Sequence, residues 1–105
     1  MRSSRPRYDP RHVERLAREG RVVATRRVVQ WLVNHDYDAA ATLAGVLGDL
    51  SRAGRWTGST RLINNAVADE YIATHDGEGW YVKFSVGEDP PAVTVWSCCW
   101  SGAVH

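Results

Sequence analysis

The hydrophobic period of this chain changes once, at Gly54, and that change restricts the fold more than any other feature. Before it, apolar residues recur every three to four positions; after it, they alternate. A chain that is helical first and stranded afterwards is expected to build an α+β domain, with N-terminal helices packed on one face of a C-terminal antiparallel sheet. At 105 residues, the whole of 1–105 reads as a single domain with one core.

The helical half carries its own punctuation. Asp9-Pro10 is an N-cap followed by Pro at the first helical position, and Gly20 is a stop, so a short helix is expected over 10–19 with Val13, Leu16 and Ala17 inward. Arg11, Arg15 and Arg18 then recur at i, i+4, i+7 as one exposed cationic stripe. Thr25 caps a second helix over 26–34, whose apolar side is Val28, Val29, Leu32 and Val33, with Trp31 packing. Asp38 caps a third, central helix reaching roughly Ala53, on which Leu43, Val46, Leu47 and Leu50 keep the helical period. Gly45 and Gly48 weaken it by ~1 kcal/mol each relative to Ala, a loss that close packing against a sheet would offset.

Strands are expected at Arg55–Thr57, Leu62–Ile63, Val67–Ala73, Trp80–Val86 and Ala92–Cys99, separated by Asn64-Asn65, Asp76-Gly77-Glu78-Gly79 and Gly87–Pro91. In the fourth, Trp80, Val82, Phe84 and Val86 share one face, while Tyr81, Lys83 and Ser85 share the other and are left on an open surface. No repeat is visible, and only the first eight residues read as linker. Cys98 and Cys99 are neighbours that a strand points to opposite faces, so neither a disulfide nor a chelating pair is expected.

Net charge is only +1, yet the signs are segregated. Residues 1–61 hold 12 Arg against 6 acids; residues 62–105 hold Lys83 against 6 acids. Arg binds phosphate with a planar fork and stacks on bases, so this distribution favours a polyanionic partner, against the plainer reading of a solvated helix face. No apolar run is long enough for a membrane span, and the Arg-rich N-terminus lacks the hydrophobic stretch of a secretory signal; a soluble, cytoplasmic protein is expected.

Three stretches resemble a known family. The run Val13-Glu14-Arg15-Leu16-Ala17-Arg18-Glu19-Gly20-Arg21-Val22-Val23-Ala24-Thr25-Arg26 is similar to the opening of the MqsR family of mRNA interferase toxins, RelE-like ribonucleases of bacterial toxin–antitoxin modules. Asp69-Glu70-Tyr71 and Gly79-Trp80-Tyr81-Val82-Lys83-Phe84-Ser85-Val86 resemble its Asp-x-Tyr and Tyr-x-Lys strands, in the same order over nearly the whole chain. The resemblance implies a RelE-like curved antiparallel sheet, metal-independent cleavage of mRNA, no cofactor, and neutralisation by an antitoxin. It also departs from the family pattern. Where the family has a Phe-Tyr-Lys-Ser-Met-like segment, this chain reads Arg55-Trp56-Thr57-Gly58-Ser59-Thr60, so the catalytic Lys is missing unless Arg55 or Arg61 stands in. The family's Gln before Asp-x-Tyr is Ala68, and its C-terminal Ser-Phe-Lys is Ser97-Cys98-Cys99-Trp100. Tyr81 carries over cleanly.

Metal-free RNA cleavage uses the substrate's 2′-OH as nucleophile, so the protein must remove that proton, protonate the leaving 5′-oxygen and neutralise the phosphate. The expected catalytic set is Tyr81 as proton donor, Lys83 beside it, and Arg55 and Arg61 as cations. Arg11, Arg15, Arg18, Arg26, Trp56 and Tyr71 are the expected RNA-binding residues, and no metal site is expected. Trp56, Trp96 and Trp100 either stack bases or pack inside. His75 is expected in a loop after the third strand; His12, His35 and His105 are expected to be inert. Tyr81 and Lys83 read equally well as the solvated side of an edge strand. Two other functions fit the sequence: a catalytically inactive RNA- or ribosome-binding regulator of the same fold, and a winged-helix DNA-binding protein whose wing is a hairpin from about Val67 to Val86. The apolar end (Val93, Val95, Trp96, Cys98, Cys99, Trp100) exceeds one sheet face, which suggests cover from an antitoxin or a second copy.

Overall fold

The computed structural model describes residues 5–103; Arg2 and His105 lie outside them. The chain runs α1 (Pro10–Arg18), β1 (Val22–Ala24), α2 (Arg26–Asn34), α3 (Ala39–Gly48), α4 (Leu50–Ala53), β2 (Gly54–Arg61), β3 (Val67–His75), β4 (Glu78–Glu88) and β5 (Pro91–Trp100), closed by a 3₁₀ turn at Ser101–Ala103. It is an α+β fold: one five-stranded sheet in the order β1-β5-β4-β3-β2, antiparallel except for the β1–β5 pair. A hairpin wing beside a helical bundle is not what forms, because Val67–Val86 supplies two inner strands of that sheet.

The caps act as their chemistry demands. The side chains of Asp9, Thr25 and Asp38 accept from the backbone N–H of Arg11, Val28 and Ala41, opening α1, α2 and α3. Gly20, at φ +74°, takes the left-handed turn that ends the first helical segment. The central helix is broken, however: Asp49 leaves helical geometry (φ −129°, ψ 27°) and α4 restarts behind it, where the buried Glu14 carboxylate accepts from the Ser51 N–H. Of the two helical glycines, Gly45 has a packing reason, since a Cβ there would meet the His75 ring at 2.2–2.8 Å; Gly48 faces open space.

Helices cover one face of the sheet only. Val13, Leu16, Val28, Leu32, Val46, Leu47 and Leu50 meet Tyr71, Trp80, Val82, Phe84, Val93 and Val95 in a single core. At one end of it Trp31 lies edge-on to Trp80 and Trp100 (centroids 6.2 and 5.1 Å), and the Trp100 Nε1–H donates to Tyr37 Oη at 2.9 Å. Val93, Val95, Cys98 and Trp100 therefore belong to the core, while Trp96 and Cys99 of the same apolar end lie outside it. Both cysteines are free. The helical period places Val29 and Val33 inward, yet they are 38% and 56% exposed: α2 is docked along a narrower stripe than its sequence offers.

Three boundaries differ from expectation. β2 is eight residues long, and Leu62–Ile63 is not a strand but the connection to β3. There Leu62 N–H donates to Ala66 O (2.7 Å), Asn65 sits at φ +69°, and Ile63 is fully exposed. Asp76 and Gly77, both at positive φ, close β3 to β4 as a two-residue turn, so His75 and Glu78 are paired strand residues rather than loop. β1 gave no period because three residues are too few; it exists through parallel pairing of Val22–Ala24 with Val93–Val95. Residues 7 and 8 are not linker either. The fully buried Asp69 carboxylate accepts from Arg7 N–H (3.0 Å), Tyr8 N–H (2.9 Å) and Ser59 Oγ–H (2.6 Å), and Tyr8 Oη donates to Val67 O at 2.6 Å.

Candidate functional site

Among the described residues no helix covers the sheet's second face, and strand register decides which side chains meet on it. Arg55, Ile72, Tyr81 and Cys99 form one row across β2, β3, β4 and β5; Gly58, Glu70, Lys83 and Ser97 form the next. Trp96 is the extra residue where the β4–β5 register slips, between Lys83–Ser97 and Phe84–Val95. That bulge sends its indole outward, where Nε1–H donates to Ser85 Oγ at 2.9 Å.

At the centre is Glu70, which lies directly opposite Lys83 and accepts from Tyr81 Oη–H at 2.7 Å and from Thr60 Oγ1–H. Partial burial works to raise its carboxyl, but the two hydrogen bonds and the Lys83 charge outweigh it and hold Glu70 below the ordinary carboxylate range. Tyr81 moves the other way: partial burial first, then the bond to and charge of Glu70, push its phenol above the ordinary range. Near neutral pH the pair is thus a carboxylate facing a protonated phenol. The Cys99 thiol is also pushed up by burial, so it does not supply a thiolate nucleophile.

No family model, curated protein or solved structure significantly matches this chain.

The expected residues divide between the two sides of the sheet. Tyr81 and Lys83 share the open face, half-buried, as alternation requires. Arg55 joins them two strands away, about 10 Å between backbones. Arg61 does not: it ends β2 opposite Val67, six residues and roughly 20 Å along the strand from Arg55, with the parity of the helix-covered face. Tyr71 is corrected outright, being 3% exposed and stacked on Phe84 (5.7 Å, 18°), with no ring face left for a base. Trp56 pairs with Tyr71 and packs against the core on the helical side, as Trp100 does, leaving Trp96 as the tryptophan of the open face. His75 packs on Gly45 of α3. Arg11, Arg15, Arg18 and Arg26 are exposed, but α1 and α2 lie in the helical layer, so these arginines and the Tyr81 face are on opposite sides.

Glu70 was the residue that sequence reasoning missed. Its signal was available: in Asp69-Glu70-Tyr71 only the middle residue shares a face with Tyr81 and Lys83 once antiparallel pairing is assumed. An open groove of about 560 Å³ lies away from this face, lined by Arg7, Tyr8, His12, Val86, Glu88 and Pro91. An extended chain needs a face rather than a hollow, so chemistry, not concavity, selects the sheet.

Proposed function

We propose that this protein is an RNA endonuclease of the MqsR/RelE type, a toxin of a toxin–antitoxin module, which cleaves single-stranded mRNA on the open sheet face without a metal. The observation that carries the reading is the Tyr81–Glu70 pair beside Lys83 on an uncovered face that also presents Arg55 and Trp96. Lys83 and Arg55 bind the scissile and a neighbouring phosphate, and the Trp96 indole stacks a base, as single-stranded RNA recognition favours. Glu70 accepts the 2′-OH proton as the 2′-oxygen attacks phosphorus; Tyr81 gives its proton to the departing 5′-oxygen. The direct hydrogen bond between them then returns the proton from Glu70 to Tyr81, restoring both groups. Each positioned acid or base contributes ~10²–10⁴-fold, and the cations stabilise the charge developing on phosphate. A carboxylate below the ordinary range is a weak base, so the turnover expected is modest.

Such an activity belongs in the cytoplasm and requires a neutralising antitoxin, for which the open face, with its aromatic and cationic side chains, is the natural target. A second reading has one observation in its favour: β2 carries no lysine and Glu70 occupies the Tyr81 hydroxyl, as in a protein that binds RNA or the ribosome without cutting. Incubation with a long unstructured mRNA in EDTA separates the two. Discrete products that vanish in Tyr81→Phe and Glu70→Gln, and fall in Lys83→Ala, support the nuclease. Retarded but intact RNA supports the regulator, and neither cleavage nor retardation removes both.

A further inference from the structure

The arginine stripe of α1 is left without work by that scheme, because it faces away from the reacting groups. Arg11, Arg15 and Arg18 are exposed, and among the described residues none has an ion-pair partner. The helix's acids are all engaged elsewhere. Glu14 is turned inward onto the Ser51 N–H, Asp9 accepts from the Arg11 backbone, and Glu19, past the end of the helix, pairs with Arg21 at 3.2 Å. Helix stability alone does not account for the pattern: Arg15 and Arg18 suit the negative end of the dipole, but Arg11 sits in the first turn, where a cation is unfavourable.

We infer that this stripe is a second nucleic-acid site, which grips the phosphate backbone of double-helical RNA while the sheet face acts on a single strand. The inference rests on the RNA reading above and adds a substrate class to it. Single-strand sites interleave cations with aromatic platforms. The stripe itself consists of guanidinium groups, and the one ring of α1, the half-buried His12, lines the Arg7–Tyr8 groove beside it, so the stripe has the chemistry of sequence-blind contact with a rigid, continuous phosphate track. With a rise of 1.5 Å per residue, the three arginines span about 10 Å of helix. A duplex presents one charge per ~1.7 Å of axis, so that span always faces several phosphates, whatever the sequence. A protein holding a stem on one side and a single strand on the other would favour unpaired segments that flank hairpins.

The test uses the full chain, a 20-base-pair RNA duplex and a short unpaired oligonucleotide. The triple variant Arg11→Gln, Arg15→Gln, Arg18→Gln loses three phosphate contacts, so its log–log salt slope on the duplex falls by about 2.7. From 50 to 200 mM salt, wild-type affinity then drops about 40-fold more than the variant's. The corresponding triple-Lys variant retains most of the slope, and both variants process the unpaired oligonucleotide as wild type does. An unchanged slope in the Gln variant overturns the inference, as does binding of duplex DNA but not duplex RNA. If no oligonucleotide is cleaved by any version while the slope still falls, the stripe stands and the nuclease reading fails.

Discussion

Asp69→Ala is the substitution whose cost can be worked most directly from the structure. The carboxylate is fully buried and accepts from two backbone N–H groups, at Arg7 and Tyr8, and from the Ser59 hydroxyl. Hydrogen bonds to a charged group contribute about 1.5–3 kcal/mol each, and deleting one partner of a buried charged arrangement costs about 3–5 kcal/mol, because the donors left behind regain only part of their hydration. A loss of about 3–5 kcal/mol is therefore expected, a large share of a total of about 5–15 kcal/mol. For a domain near 100 residues that lowers the melting temperature by at least about 12 °C. Asp69→Asn keeps one acceptor oxygen and turns an amide against an N–H donor, so it falls between wild type and alanine. Circular-dichroism melts give the magnitude, and amide hydrogen exchange gives the location: residues 7 and 8 lose protection first. A melting temperature within ~2 °C of wild type, or residues 7 and 8 still protected in the alanine variant, would refute the anchoring of residues 7 and 8 by Asp69. So would an Asn variant that is folded at the assay temperature yet cannot cleave RNA, because Asp69 would then act in the chemistry.

Gly45→Ala ordinarily gains about 1 kcal/mol of helix propensity, but here the new methyl meets the His75 ring. Thermal melts should show net destabilisation of about 1 kcal/mol, reversing to stabilisation when the same change is made on a His75→Ala background. Tyr71→Phe should be neutral or slightly stabilising near pH 7, since the buried Tyr71 hydroxyl has no hydrogen-bond partner. Burial first, then the charges of Asp69 and Asp9, raise the Tyr71 phenol from 10.0 to about 12. Because the folded-state value is raised, ionisation works against the fold: stability is unaffected below pH 10 and falls between pH 10 and about 12, and alkaline denaturation of the Phe variant should lack that component. Glu70 is lowered from 4.5, so its contribution is present above that value and lost as pH falls below it. Glu70→Gln should flatten the stability profile in that acid window, measurable by urea titration at stepped pH.

Local signals carried most of the fold. Three caps, a Gly stop and a change of period placed α1 and α2 nearly to the residue, and alternation in β4 put Trp80, Val82 and Phe84 under the helices with Tyr81 and Lys83 opposite. What failed was what depends on partners distant in sequence. β1 has no pattern of its own and is made by β5, and the break at Asp49 accompanies a carboxylate from α1. The bulge that turns Trp96 outward appears only when β4 and β5 are laid together. The site followed the same rule. Tyr81 and Lys83 needed only the period of a single strand, whereas Glu70, and the burial of Tyr71 beside it, needed the register of β3 against β4.

The position of β5 has a consequence for how the molecule is made. The last strand lies inside the sheet, between β1 from the beginning of the chain and β4 just before it. While the ribosome is still adding residues 91–100, β1 has no neighbour to pair with, and α1 and α2 lack the apolar floor of Val93 and Val95 that completes their core. The nascent polypeptide therefore cannot reach its finished shape until translation of that segment is over and it has cleared the exit tunnel. Any surface assembled from the completed sheet stays unformed on the very machine that is synthesising it.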